Sequence, residues 1–258
     1  MTREEKASLA AEQPAWMYEF DLGDGIKTPL LADELRSIHE TRAQMLNLLL
    51  DRVYSDGMGG RRCLDVGCNE GYFSHLLYHR GARVRGIDIR EQNIRRARAV
   101  QCILELDPAR IEFSTDDVFI FDANGVMYDL TLCLGLVYHL ENPMGMLRRL
   151  RGMTRGVCLV ESQVTRQRAA IASGWGQTGV TLELPASMGV FYEEQQAVDR
   201  LAAHGGLLSF VPNPAALHLM LKVAGFPRVV PLPARPGMNP QYLTEDRVIF
   251  AAFTAEGC

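Results

Sequence analysis

The segment Cys63-Leu64-Asp65-Val66-Gly67-Cys68-Asn69-Glu70-Gly71 constrains this chain more than any other, because an apolar strand runs into a glycine turn and then into a helical pattern. One crossover later, Val84-Arg85-Gly86-Ile87-Asp88 gives a second strand that ends in a carboxylate. That order describes two parallel strands of an open sheet, with a ligand crevice at their carboxyl ends. Gly67 can adopt a turn conformation costly to residues with a side chain, and Gly71 lets a cofactor or a helix backbone approach closely. Asp88 is placed to accept hydrogen bonds from ribose hydroxyls. The two glycines are four apart, so the Gly-x-Gly-x-x-Gly spacing of a dinucleotide site fails. An acidic Glu70 beside a pyrophosphate is also unfavourable. A nucleoside carrying a charged amino-acid tail fits better, which points to S-adenosylmethionine and its product S-adenosylhomocysteine.

From residue 61 onward strands and helices alternate. The pattern predicts strands at 62–66, 83–89, 110–115, 128–134 and 156–161, with helices at about 71–80, 91–106 and 143–151. Parallel strands joined by right-handed crossovers build a doubly wound α/β sheet. Upstream, Leu35, Ile38, Met45, Leu46 and Leu49 form a helical stripe. Residues 1–30 read as an appended arm, in which Trp16, Tyr18 and Phe20 alternate along a strand and Gly23-Asp24-Gly25 turns a short hairpin. These aromatics either pack on the main domain or roof its active site. Residues 31–258 form that domain. Within it, 162–210 breaks the alternation, punctuated by Gly174-Trp175-Gly176 and Gly205-Gly206, and reads as a cap insertion on the acceptor side. Regularity returns with a helix over 213–224 and strands near 228–232 and 247–253. No helix is evident in the Pro-rich link 231–240, so those two strands are expected to form an antiparallel hairpin at one sheet edge.

With 258 residues and 47% hydrophobic content the chain can bury a large core. Its six cysteines are scattered without a Cys-x-x-Cys pair and read as reduced, mostly buried thiols. His75 and His79 share a helix face but have no visible partner ligand, so no metal is expected. No apolar run reaches membrane-spanning length and no secretory start is visible, so the cytoplasm is the expected location. The net charge of -4 gives no long-range attraction to nucleic acid. Arg90, Arg95, Arg96 and Arg98 are the densest basic run and read as a solvated helix exterior, with an RNA-contacting patch as the alternative.

Four blocks in order carry a resemblance to the class I S-adenosylmethionine-dependent methyltransferases. They are Leu64 to Gly71, Gly86-Ile87-Asp88, Asp116-Asp117-Val118, and the run Tyr128 to Pro143 that contains Leu134-Gly135-Leu136-Val137-Tyr138-His139. Within that class Gly135 to His139, Asn142-Pro143 and the segment Phe210 to Leu217 resemble the bacterial tRNA wobble-uridine carboxymethyltransferases and their small-molecule relatives. The resemblance implies a Rossmann-like seven-stranded mixed sheet of order 3-2-1-4-5-7-6 with strand seven antiparallel. It also implies roles. Backbone around Gly67, Cys68, Asn69 and Gly71 holds the methionine moiety, with Asp65 orienting the loop or meeting the amino group. Asp88 takes the ribose, Ile89 packs on adenine, Asp117 accepts from the adenine amino group and backbone near Val118 meets a ring nitrogen. Leu134, Gly135, Tyr138 and His139 lie nearest the reacting centre. His139 is a candidate general base, since an ordinary pKa near 6.5 lets it accept a proton at neutral pH.

The expected activity is methyl transfer to an oxygen or nitrogen of a small or biosynthetic metabolite, with a homodimer left open. Carboxymethyl or methyl transfer to tRNA, using carboxy-S-adenosylmethionine in the former case, is the competing reading. It wants a cation beside the modified cofactor's carboxylate, and Arg228 or Arg235 could supply one. A catalytically silent cofactor-binding protein is the third.

Overall fold

An interior strand of the sheet, β1 (Arg62–Val66), is buried from Cys63 onward. The structure is a computed structural model that describes residues 1–11, 15–172, 181–192 and 208–255. Before β1 come α1 (Arg3–Ala11) and α2 (Asp33–Val53), and after it α3 (Tyr72–His79), β2 (Arg83–Asp88), α4 (Glu91–Ile103), β3 (Ile111–Thr115) and β4 (Tyr128–Leu134). A 3-10 turn (Val137–His139), α5 (Pro143–Met153) and β5 (Thr154–Gln163) follow. Near-continuous apolar runs such as Val157-Cys158-Leu159-Val160 in β5 suit strands covered on both faces. The chain ends with α6 (Pro214–Val223), β10 (Arg228–Leu232), α7 (Pro240–Leu243) and β11 (Arg247–Phe253).

The seven-stranded sheet has the order β10-β11-β5-β4-β1-β2-β3, and β11 runs antiparallel to both β10 and β5. Counted along the chain, with β10 and β11 as the sixth and seventh strands, this is the 3-2-1-4-5-7-6 arrangement expected from the sequence. The short helix α7 begins at Pro240, where the Pro-rich link 231–240 ends, and the sequence reading did not include it. The described part of 162–210 also holds strands: β6 (Ala169–Ala172) pairs antiparallel with β7 (Thr181–Leu184), and β8 (Met188–Tyr192) with β9 (Leu208–Pro212). Pro185 and Gly189 had disguised them as irregular chain. Gly174-Trp175-Gly176 and Gly205-Gly206 lie outside the described residues.

The chain divides into two compact units. The first contains residues 1–132, 153–156 and 234–239. Here Asp65 stands opposite Gly86 across the β1–β2 ladder, and Asp88 opposite Thr115 across β2–β3. Gly86 is needed for packing, since a Cβ there would meet Phe113 at 2.6 Å and the Ser74 hydroxyl at 3.0 Å. The arm belongs to this unit too. Asp21 bridges Lys27 around a turn in which Gly23, Asp24 and Gly25 all have positive φ. Its aromatics pack inward, with Tyr18 stacked 5.1 Å from Tyr72 and 4.2 Å from His39, and Phe20 5.5 Å from His75. The second unit contains residues 133–152, 157–233 and 240–258. Asn213 caps α6 by accepting from the Ala216 N–H, while its amide donates to the Pro185 carbonyl.

Candidate functional site

In the first unit the turn after β1 is built from residues in the left-handed region: Gly67 (φ 67), Asn69 (φ 51) and Gly71 (φ 85). Gly71 has a second constraint, since a Cβ would sit 2.7 Å from the Phe113 ring. The loop is tied down by three backbone donors. Cys68 N donates to Ile87 O (3.0 Å), Asn69 N to Asp88 Oδ2 (2.9 Å) and Gly71 N to Cys68 O (2.9 Å). Cys68 is buried, and burial pushes its thiol well up, so it serves as packing and backbone.

Asp65 and Asp88 are both buried. Asp65 accepts from the Ser74 hydroxyl at 2.7 Å, and burial pushes its carboxyl up to about 7, with the Asp88 charge adding to the shift. Asp88 accepts from Asn69 N, from Arg90 N at 2.8 Å and from the Asn93 amide at 3.2 Å. Burial still raises its pKa against those bonds. A carboxylate has about four lone-pair sites, so Asp88 keeps capacity for a ribose hydroxyl.

Two further loops carry the remaining expected residues of this half. Ile89 is 40% exposed, an aliphatic side chain left at the strand end. Asp116 N donates to Asp88 O at 3.0 Å, joining the loop after β3 to the loop after β2. In that joined loop Asp117 is half-buried, one carboxylate oxygen accepts from Phe119 N at 2.9 Å, and Val118 is buried. Asp116 turns away toward Ser114 and Arg85. Ile120, absent from the sequence reading, is 81% exposed beside them, and in the sequence it is hidden inside the apolar run Val118-Phe119-Ile120-Phe121.

Glu70 corrects one step of the sequence argument. It is fully buried and turned away from the crevice, with Oε1 2.6 Å from Arg96 Nη1 and Oε2 accepting from Tyr18 N at 3.1 Å. Its charge therefore says nothing against a phosphate. Arg96 is likewise buried rather than solvated. Arg95 pairs with Glu91, and Arg98 donates to the Phe113 carbonyl at 2.7 Å. Within the basic run these three arginines are engaged by the protein itself.

In the second unit Leu134 ends β4, and Gly135 (φ 78) donates to Glu161 O at 3.1 Å. Tyr138 and His139 follow in the 3-10 turn, half-buried, with ring centres 4.2 Å apart. The strand β9 packs against this turn. The Tyr138 hydroxyl accepts from Arg247 Nη1 at 3.5 Å. The same Nη1 lies 3.2 Å from Glu161 Oε1, which also accepts from the Tyr242 hydroxyl at 2.9 Å. Sequence reasoning missed this Glu161–Arg247–Tyr242 group. Its signal was an acid at the end of the apolar run Val157 to Val160 and a cation at the start of β11. Arg228, expected as a source of positive charge, instead stacks over Phe253 at 4.7 Å. His75 and His79 separate: His75 is buried against Phe20 and Phe113, and His79 is exposed. Among the described residues no cluster of His, Cys, Asp or Glu could hold a metal, and no helix is long and apolar enough to cross a membrane.

The first-unit crevice fits a cationic adenosine derivative. Asn69 Oδ1 is buried and has no hydrogen-bond partner among the described residues, which leaves it free to accept from a ligand. Asp65 is a buried carboxylate that accepts from Ser74, suited to an ammonium group.

Residues 64–156 match the sequence family described as "Methyltransferase domain". The chain is 28% identical over 117 residues to the ubiquinone biosynthesis O-methyltransferase of Idiomarina loihiensis, covering 45% of this chain and 46% of that protein. The chain thus spans about half the length of the curated relatives it matches. Among solved structures, the N-terminal domain of EvdMO1 with SAH bound covers 99% of this chain and 98% of its own at TM-score 0.71 and 21% identity. The magnesium protoporphyrin IX methyltransferase of Synechocystis PCC 6803 with bound SAM covers 90% and 87% at TM-score 0.55 and 18% identity. The fold is therefore the Rossmann-like fold of class I methyltransferases. The Idiomarina and Synechocystis enzymes are named for the small molecules ubiquinone and protoporphyrin, and none of the three is named for the wobble-uridine branch suggested by the fourth block.

Proposed function

We propose that this chain is an S-adenosylmethionine-dependent methyltransferase that moves a methyl group to an oxygen or nitrogen of a small biosynthetic metabolite. The observation that carries the reading is the crevice after β1 and β2, where Asp65, Asp88 and the Asn69 carbonyl, unpartnered among the described residues, surround a left-handed glycine turn. When bound, the cofactor supplies a sulfonium-linked methyl group whose departure needs no proton. Asp88 binds the ribose hydroxyls, Asp65 and Asn69 meet the amino-acid tail with the backbone of Gly67, Cys68 and Gly71, and Ile89, Asp117 and Val118 hold the adenine. Leu134 and Gly135 shape the end of β4. Tyr138 orients the acceptor, and His139 takes the proton from its hydroxyl or amine.

Three features favour a small acceptor over RNA. The net charge is -4, Arg96 of the basic run is buried against Glu70 while the exposed Arg95 and Arg98 bond Glu91 and the Phe113 carbonyl, and two of the relatives are named for ubiquinone and porphyrin. Carboxymethyl transfer wants a cation beside the modified cofactor's carboxylate, and Arg228, one of the two arginines expected to supply it, is stacked over Phe253.

The test supplies S-adenosylmethionine with an isotope-labelled methyl group to the protein plus a metabolite extract, and in parallel to the protein plus total tRNA. Mass spectrometry then locates the label. Label in a small molecule supports the proposal. Label confined to tRNA replaces it with the RNA reading, and cofactor binding without label in either fraction favours a silent cofactor-binding protein.

A further inference from the structure

We infer that the buried Glu70–Arg96 pair is a positioning device for the cofactor loop, coupling the docking of the 15–31 arm to cofactor binding. The inference rests on the cofactor reading proposed above. Glu70 lies between Asn69 and Gly71, both held in the left-handed region, so the direction of its side chain and the shape of the loop are set together. On one side the loop is gripped at Asn69 by Asp88. On the other it is gripped at Glu70 by Arg96 and by the Tyr18 N–H of the arm. Helix α4 joins the two grips. At its start Arg90 N and the Asn93 amide bind Asp88, and further along Arg96 binds Glu70. Loop, ribose carboxylate, helix and arm thus close into one ring of contacts.

The pair is poorly built for stability. Arg96 bonds Glu70 through Nη1, while its Nε and Nη2 are buried with no hydrogen-bond partner among the described residues and its guanidinium faces the Trp16 ring at 5.2 Å. A buried ion pair with unmet donors is often no more stable than a neutral replacement. What the pair does accomplish is geometric, because it fixes Trp16 and Tyr18 against the loop that carries Asn69 and Gly71. Neither Glu70 nor Arg96 needs to touch the cofactor. A ligand that binds the gripped loop more tightly than the released one must also favour the docked arm.

The experiment compares the wild-type chain with the double variant Glu70→Gln/Arg96→Met, in which the introduced amide keeps an acceptor for the Tyr18 N–H and no unpaired charge remains. S-adenosylhomocysteine is the probe, with affinity read by calorimetry, folding by thermal melting and arm docking by hydrogen exchange. The expected result is a melting temperature equal to or above wild type together with an affinity about tenfold weaker. In the wild type the ligand should raise protection of residues 17–22, and in the variant this gain should shrink. An affinity within about twofold of wild type in the folded variant overturns the inference. If the double variant does not fold, the wild-type exchange decides: no ligand-induced protection of residues 17–22 overturns it. Wild-type protein that fails to bind S-adenosylhomocysteine overturns the cofactor reading and this inference with it.

Discussion

Replacing Asp65 by Asn should stabilise the free protein, and increasingly so as pH rises. Asp65 is fully enclosed, its partner is Ser74, and burial holds its carboxyl at about 7 against an ordinary 3.8. A carboxyl whose pKa is raised on folding stabilises the native state below its unfolded value, and that contribution is lost as pH rises through the folded value. The full cost of ionising Asp65 is then about 4 kcal/mol at 1.36 kcal/mol per pKa unit, an order-of-magnitude figure. At pH 5 roughly 1–2 kcal/mol of it is expressed and by pH 8 nearly all, so the advantage of Asp65→Asn should grow by about 2–3 kcal/mol between them. For a chain this size that is a relative shift in melting temperature of roughly 5–10 °C. Asn can still accept the Ser74 hydrogen bond, so packing is preserved. Thermal and urea unfolding of both proteins from pH 5 to 8 provides the assay, with S-adenosylhomocysteine affinity measured alongside. The variant should bind about tenfold more weakly, having lost the charge that meets the ammonium group. Parallel pH profiles for the two proteins would refute the argument that Asp65 is an uncompensated carboxylate kept for its ligand.

Other outcomes follow from groups at either end of the chemistry. His75 is buried with neither ring nitrogen hydrogen-bonded among the described residues, and burial pulls its pKa to about 4, so stability present above pH 6.5 should fall by about 2–3 kcal/mol on acidification to pH 4.5. His75→Leu should flatten that acid limb in denaturant unfolding, and an unchanged limb would remove His75 as its cause. His139→Ala should lower the single-turnover methyl-transfer rate by roughly 10²–10⁴-fold with cofactor affinity nearly intact if the imidazole is the base. A loss under about threefold would leave His139 as a structural part of the turn after β4.

Much of the frame was legible in the chain because strands covered on both faces must be written as apolar runs. The bounds of β1, β4, β10 and β11 follow directly from runs such as Arg247 to Phe253. Asp65 and Asp88 could be placed because each ends or nearly ends a strand in a fixed order. What local pattern could not reveal was the partner of a charge. Arg96 read as solvated beside Arg95, yet it turns inward to Glu70, which read as a feature of the crevice. Their contact joins residues 26 apart in sequence and depends on Trp16 and Tyr18 arriving from a third segment. Glu161 and Arg247 escaped for the same reason, since β5 and β11 are neighbours only through the antiparallel return of the last strand. β8 and β9 escaped because a glycine and nearby prolines masked a pairing that only tertiary context makes.

Whether the crevice after β1 and β2 is an S-adenosylmethionine site is tested most directly by calorimetric titration of S-adenosylhomocysteine into the wild-type chain and Asp88→Ala. Asp88 holds the loop through Asn69 N and is assigned the ribose, so its removal deletes a charged hydrogen-bond acceptor of about 1.5–3 kcal/mol. One saturable site is expected in the wild type, and an affinity weaker by about 10–100-fold in the variant. No saturable binding to the wild type, or equal affinity in the two proteins, would contradict the assignment.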